Sequence, residues 1–105
     1  MPTPVIVTAI FTPVEGRKDA LVAALTATIP GVHAEQGCEL YAIHDAADGT
    51  ITMLEKWSSS DDLAAHSDSD AVHALQAAID GLVVQPVVVT TMSPIPAGTR
   101  EQGLV

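Results

Sequence analysis

The chain has 105 residues, with 13 acidic side chains against 4 basic ones and a formal net charge of −9. This length suits one domain with a modest core, and the negative charge makes nucleic acid and anionic membrane surfaces poor partners, since both bind clusters of Lys and Arg. Hydrophobic residues make up 48% of the chain. So small a domain has too little interior to hide them all, and we expect some to face a partner subunit.

Cysteine usage and the N-terminus bear on the compartment. The single cysteine, Cys38, excludes an internal disulfide and a cysteine-rich zinc site, and it fits a reducing cytosol. The N-terminal segment Met1-Pro2-Thr3-Pro4 lacks the basic and apolar regions of a signal peptide. No apolar run approaches the ~20 residues that span a bilayer. We therefore expect a cytoplasmic protein without a membrane segment.

The first elements are a strand and a helix. A nearly continuous run of β-branched and apolar residues predicts a strand over 4–12 with both faces covered. A helix follows, and its apolar stripe consists of Leu21, Ala24, Leu25 and Thr28. Pro30-Gly31 is expected to break or kink this helix. A short turn is expected over 32–36, with Gly37 as its stop.

A hairpin is predicted next, because two strand-like runs flank an Asp48-Gly49 turn. Two registers are open. A two-residue loop places His44 on one face with Met53, Glu55 and Trp57, whereas a three-residue loop ending in a Gly bulge groups Tyr41 and Ile43 with those three. Glu55 and Trp57 share a face in both registers, because side chains alternate along a strand.

The second half of the chain predicts helix, helix and strand. The Ser/Asp cluster over 58–62 is typical of an N-cap and predicts a short helix through Leu63 and His66. The helix is expected to restart over 67–70. Its second part has an apolar stripe at Val72, Leu75 and Ile79 and is expected to end at Gly81. The last strand is expected over 87–92. Residues 1–93 then form the domain, and 94–105 form an extended tail that frays or lies along a partner.

The element order is therefore β-α-β-β-α-β. It predicts an α+β, ferredoxin-like fold, in which a four-stranded antiparallel sheet carries both helices on one face. The other face of the sheet must also be hidden. Because the first and last strands are so apolar, we expect two sheets to pack face to face in a homodimer, as a dimeric α/β barrel.

Four segments carry a family resemblance: Phe11, Glu35-x-Gly37-Cys38-x-x-Tyr41, Glu55-x-Trp57 and Leu63-x-x-His66. Together, over about residues 4–92, they resemble the antibiotic biosynthesis monooxygenase domain of the quinol monooxygenase-like type. The resemblance implies a dimeric barrel with one pocket per subunit between helices and sheet. It also implies oxidation of a small aromatic quinol, phenol or anthrone-like substrate by dioxygen, with no metal or organic cofactor.

Two branches of that family fit the chain less well. The haem-degrading branch relies on a Trp and a His at positions that correspond here to His66 and Gln76, which argues against haem as the substrate. The polyketide-tailoring branch relies on an Asn, a Trp and an Arg, and this chain contains no Asn. The alternative to an enzyme is a small-ligand-binding or orphan barrel protein without turnover.

Oxygenation without a cofactor requires a base, a group that stabilises the substrate anion, and a dry cavity. His66 is the first candidate for the base, since imidazoles exchange protons near neutral pH. Tyr41 is a candidate hydrogen-bond donor to a substrate oxygen, and Glu55 a candidate to orient a His or anchor a proton network. Both also have ordinary structural explanations, as a core aromatic residue and as an ion-pair partner.

The predicted substrate-binding residues are Trp57, His44 and Phe11. Trp57 is a candidate to stack on an aromatic substrate, and its alternative role is to pack under the following helix. A metal site made of His44, His66 and Glu55 is conceivable, but no two His residues have i, i+4 or H-x-H spacing. No metal site is therefore predicted.

Overall fold

The structure is a computed structural model that describes residues 3–105. The prediction that the N-terminus is not a signal peptide falls partly on Met1 and Pro2, and these two residues lie outside the described residues. In chain order the elements are β1 Val5–Phe11, α1 Lys18–His33, β2 Cys38–Asp45, β3 Ile51–Trp57, α2 Ser60–Ser67, α3 Asp70–Ile79, β4 Val88–Met92 and α4 Arg100–Gly103.

The four strands form one antiparallel sheet in the order β2-β3-β1-β4. This confirms the α+β, ferredoxin-like fold with its helices against one face, and the sheet remains open. No helix among residues 3–105 is both long enough and apolar enough to cross a membrane. The tail differs from the extended segment expected, because Thr99 caps a single helical turn, α4, by accepting a hydrogen bond from the Gln102 N–H.

Alternation along the central strands separates a helix-covered face from an open face. The odd-numbered residues of β1 and β3 are buried in the core, apart from Val5, which is half-buried against it. Leu21 and Leu25 of α1 and Leu75 of α3 belong to the same core cluster and cover these residues on that one face. In the single chain Ile10 of β1 is 36% exposed, and every residue of β4 is exposed. Cover of the open face of β1 by a partner sheet stays a prediction.

The first helix does not break at Pro30. It continues to His33 with Pro30 inside, although proline removes one helical hydrogen bond. Val32, one residue past Gly31, is completely buried in the core, and a Cβ on Gly31 would lie only 3.6 Å from the Ala71 Cβ. Close packing against α3 therefore stabilises the last turn of α1 and offsets the lost hydrogen bond.

The hairpin adopts the register with a three-residue loop. The Ala46 N–H donates to the Thr50 carbonyl at 2.9 Å, and the Gly49 N–H donates to the Ala46 carbonyl at 3.0 Å. Gly49 has a φ of +91°, as a Gly bulge requires. Tyr41 consequently pairs with Glu55 on the helix-covered face, and His44 lies on the open face.

Gly37 holds the loop before β2 against the start of α2. Its φ is +81°, and a Cβ there would lie 2.3 to 2.6 Å from three atoms of the Asp62 side chain. Its carbonyl accepts a hydrogen bond from the Ser58 N–H at 2.9 Å, and the Ser58 hydroxyl donates to the Asp62 carboxylate. No side chain larger than hydrogen fits at this junction without displacing Asp62.

We expect Gly37→Ala to lower the free energy of unfolding by about 2–4 kcal/mol, because left-handed strain alone costs about 1–2 kcal/mol and the contact with Asp62 adds to it. Gly49→Ala is the matched control, since it has a similar φ with no atom within 4 Å of the added Cβ. Urea unfolding monitored by circular dichroism measures both variants. Equal losses for the two would contradict the predicted contact with Asp62.

Candidate active site

A cavity of about 250 Å³ lies between the helix-covered face of the sheet and helices α2 and α3. The sheet contributes small or apolar side chains, among them Val7, Ala9 and Phe11, and the helices contribute Leu63 and Leu75. Residues of both α2 and α3 line the cavity, and Ala9 contributes a short side chain from the centre of the sheet. The wall is mainly apolar, as in pockets that bind small organic molecules.

The cavity opens between the helices and β4. Four of its lining residues are exposed to solvent: Ser67, Gln76, Val89 and Thr91. Val89 and Thr91 alternate on one face of β4, so this edge strand forms one side of the mouth. A ligand that enters here passes a polar rim and reaches the buried end of the cavity, where Tyr41, Glu55 and His66 lie.

His66 is a buried imidazole held by a carboxylate. Its Nδ1 lies 3.1 Å from Oε2 and 3.2 Å from Oε1 of Glu35. Because a carboxylate only accepts hydrogen bonds, Nδ1 carries the proton when the ring is neutral. Nε2 is then the basic nitrogen, and it lies 4.0 Å from the Glu55 Oε1, too far for a hydrogen bond. Nε2 is therefore free to accept a proton from a ligand.

The end of α1 and the N-cap of α2 place this pair. The Glu35 N–H donates to the Val32 carbonyl at 2.9 Å, which anchors Glu35 just beyond the end of α1. Helix α2 begins at the Ser59 N-cap, whose hydroxyl accepts from the Asp62 N–H at 3.1 Å. His66 lies in the last turn of α2. The Glu35–His66 contact thus joins the loop after α1 to the last turn of α2.

Glu55 is the second carboxylate of the site, and it is 5% exposed. Its Oε1 accepts the Trp57 Nε1–H at 2.9 Å. Burial raises the pKa of Glu55 above its usual value, and the nearby Glu35 adds to this, while the Trp57 hydrogen bond and His66 act in the opposite direction. Glu55 therefore takes up a proton more readily than a surface glutamate.

Two aromatic rings pack around the imidazole. The Trp57 and His66 ring centroids are 4.3 Å apart with an interplanar angle of 30°, and Tyr41 meets His66 edge-on at 5.5 Å. Trp57 is completely buried and does not line the cavity. It therefore packs against the side of the His66 ring that faces the core. Burial, followed by the charges of Glu55 and Glu35, raises the pKa of Tyr41. Its hydroxyl stays protonated at neutral pH and can donate a hydrogen bond into the cavity.

Most of the site residues predicted from the sequence come together here. Phe11, Tyr41, Glu55 and His66 all line the cavity. Trp57 belongs to the same cluster but lies behind the wall. His44 does not join them, because the hairpin register places it on the open face, with its Nδ1 3.4 Å from the Thr52 carbonyl.

The sequence reasoning gave Glu35 no chemical role. Its contact with His66 spans 31 residues, and no local spacing pattern indicates such a pair. The only signal was its place in the segment Glu35-x-Gly37-Cys38-x-x-Tyr41, which carried the family resemblance. Gln76 and Thr91 at the rim were likewise not predicted as site residues. Among residues 3–105, no group of three or more His, Cys, Asp or Glu side chains has the arrangement of a metal site.

Fold and site together define a small α+β protein with a mainly apolar ligand cavity and one oriented imidazole in its wall. The family model described as antibiotic biosynthesis monooxygenase matches residues 4–78. The chain therefore belongs to the antibiotic biosynthesis monooxygenase family. This membership supports a monooxygenase-like function.

Individual relatives agree with this assignment. The Mycobacterium tuberculosis protein named "Putative monooxygenase Rv0793" is 34% identical over 96 residues, which cover 90% of this chain and 95% of that protein. Its solved structure superimposes with a TM-score of 0.83, covering 92% of this chain and 100% of the other. SO0527 from Shewanella oneidensis is 28% identical with a TM-score of 0.77, covering 88% and 91% of the two chains. PA3566 from Pseudomonas aeruginosa is 25% identical with a TM-score of 0.80, covering 90% and 97%.

The raised pKa of Glu55 predicts a pH dependence of stability. A carboxyl whose pKa is higher in the folded than in the unfolded state favours folding at low pH, and this contribution is lost as the pH rises from about the unfolded value of 4.5 through the folded pKa. Glu55→Gln stays neutral and retains an oxygen that accepts the Trp57 N–H. We therefore expect the variant to gain stability relative to the natural protein as the pH rises through this window.

Urea unfolding of both proteins at several pH values from acid to neutral measures this difference. Glu15→Gln, which removes an exposed carboxylate, is the control for the change in net charge. A difference between Glu55→Gln and the natural protein that stays constant over the window would contradict the effect of burial on Glu55.

Proposed function

We propose that this protein is a cofactor-independent monooxygenase that oxidises a small aromatic quinol, phenol or anthrone-like substrate with dioxygen. The observation that carries the proposal is the His66 imidazole, held at Nδ1 by Glu35 and free at Nε2, at the buried end of a mainly apolar cavity. Membership of the monooxygenase family supports the reaction type. The substrate class is the one that the resemblance implies, and a mainly apolar cavity of about 250 Å³ suits a small aromatic molecule.

In the proposed reaction, His66 Nε2 accepts the proton of the substrate hydroxyl. The imidazolium that forms is stabilised by Glu35 at Nδ1, by the nearby Glu55 carboxylate, and by the face of Trp57. The Tyr41 hydroxyl donates a hydrogen bond to the substrate oxygen that becomes negative. The mainly apolar wall limits the water around the anion, which keeps it electron-rich.

The electron-rich anion then transfers one electron to dioxygen, and the two radicals combine at a ring carbon to give a peroxide. Loss of water from this peroxide leaves a new carbonyl group. A quinol with one ring C–H plus dioxygen becomes a hydroxyquinone plus water, and an anthrone CH₂ plus dioxygen becomes a C=O plus water. In both cases the substrate supplies all four electrons that dioxygen needs, so the balance requires no additional reductant.

We expect His66→Ala to lower the rate of dioxygen consumption with menadiol by about 10²–10⁴-fold, the usual effect of losing a general base. Glu35→Gln should cause a smaller loss, because the amide oxygen still accepts from Nδ1 but does not neutralise the imidazolium. An oxygen electrode measures the rate above that of autoxidation. His73→Ala, which changes an exposed His on α3, is the control.

Unchanged turnover in His66→Ala would remove this residue from the mechanism. If several quinols bind the natural protein but none is turned over, the non-catalytic ligand-binding alternative replaces the proposed reaction. Circular dichroism of each variant establishes that the loss of rate does not come from unfolding.

We also propose that the protein acts as a homodimer whose two sheets pack through their open faces. The open face presents Ile10, Val88 and Met92, which are 36%, 48% and 37% exposed, and they lie side by side because Ile10 pairs with Val88 and Ile6 with Met92. Burying these apolar side chains, which the single chain leaves exposed, favours association. Residues 94–105 are proposed to lie along the partner in this assembly.

Sedimentation velocity at micromolar concentration tests the dimer. We expect the natural protein to sediment as a dimer and Val88→Glu to sediment as a folded monomer, because the new carboxylate would be buried at the interface without a partner. Val84→Glu, at an exposed position outside the sheet, should remain dimeric. A folded single subunit of the natural protein at this concentration would contradict the proposal.

A further inference from the structure

The wall of the cavity includes the carboxyl group of Glu55 but no Lys or Arg side chain. The four Lys and Arg residues of the chain all lie elsewhere among residues 3–105. Lys18 pairs with Asp45 at 2.5 Å and Lys56 with Glu39 at 3.6 Å, while Arg17 and Arg100 are exposed at the start of α1 and in the tail. None of them lines the cavity. An anion inside it would therefore meet no fixed positive side chain.

Two carboxylates determine the electrostatics at the buried end. Glu55 lies in the wall itself, and Glu35 lies behind the imidazole at 3.1 Å from Nδ1. His66 is the one lining side chain that can gain a positive charge. In the proposed reaction it does so by accepting, at Nε2, the proton that a neutral substrate gives up.

The charge balance differs between neutral and anionic substrates. When a neutral phenol transfers its proton to His66, a phenolate and an imidazolium form together, and the net charge of the cavity does not change. A substrate that already carries a carboxylate or phosphate brings an additional negative charge close to Glu55. At such distances and at low dielectric, two like charges repel strongly, and salt screens them poorly.

We propose that this cavity selects electrically neutral aromatic substrates and rejects aromatic carboxylates and phosphates, with Glu55 as the specificity-determining residue. This inference deepens the proposed function and rests on it for the identity of the site. It narrows the substrate class to quinols, phenols and anthrones whose ring substituents carry no charge.

A matched pair of ligands tests the selection without any turnover. 6-Hydroxy-2-naphthamide and 6-hydroxy-2-naphthoate have the same rings, the same hydroxyl and nearly the same shape, and at neutral pH they differ by one negative charge. Neither requires dioxygen for binding. Isothermal titration calorimetry of the full chain gives both dissociation constants, and we expect the amide to bind at least about tenfold more tightly than the carboxylate.

Three variants assign the discrimination to charge in the cavity. Glu55→Gln should reduce the ratio of the two dissociation constants, because it removes the nearest negative charge and retains the acceptor for Trp57. Gln76→Lys, at an exposed rim position, should reduce or reverse the ratio by supplying a cation. Gln76→Glu changes the same position with the opposite sign and should increase the ratio.

Equal affinities of the natural protein for the two naphthols, or tighter binding of the carboxylate, would overturn the proposed selection, and so would failure of both compounds to bind. A ratio that does not respond to Glu55→Gln or to the Gln76 pair would overturn its electrostatic cause. The proposed reaction fails separately, since a protein that prefers the amide but oxidises no quinol would retain the selection and lose the catalysis.

Discussion

The contact between Glu35 and His66 is the interaction on which the site depends. It joins the loop after α1 to the last turn of α2, two segments 31 residues apart, in a region where the imidazole is almost wholly buried. A buried His without a partner would carry the cost of an unsatisfied polar group. The carboxylate satisfies Nδ1 and, by the same contact, determines which ring nitrogen is free. One hydrogen bond thus contributes to folding and assigns the proton acceptor.

The same region contains a buried carboxyl group whose burial lowers stability. Burial of the Glu55 carboxyl is unfavourable when it is charged, and the Trp57 N–H compensates only in part, since the pKa of Glu55 remains raised. A hydrophobic side chain of similar volume would pack there without this cost. A charged group in such a place is typical of functional sites, where neighbouring groups shift one another's pKa values.

Periodic patterns predicted much of this structure. The alternation in β3 placed Glu55 and Trp57 on one face whichever hairpin loop formed, and the Ser/Asp cluster before Leu63 indicated the start of α2. The register itself was open, because both loop lengths are compatible with Asp48-Gly49, and only the Ala46–Thr50 pairing seen in the structure distinguishes them. The face of the sheet on which the His44 side chain lies depended entirely on the length of this loop.

Local sequence patterns did not predict two features of the structure. The continuation of α1 through Pro30 results from tertiary packing of Val32 and Gly31, which outweighs the local preference of proline. The role of Glu35 results from the approach of two loops in three dimensions. In both cases the deciding contact is far away in the sequence, where neither propensity nor spacing carries information.

The last strand connects the cavity to the open face. Val89 and Thr91 of β4 line the cavity mouth, whereas Val88 and Met92 alternate with them and point to the opposite side of the sheet. All five residues of β4 are exposed in the single chain, and only its pairing with β1 holds this edge strand in place. In the proposed homodimer, packing against Val88 and Met92 would restrain β4 and, through the backbone they share, the wall that Val89 and Thr91 form.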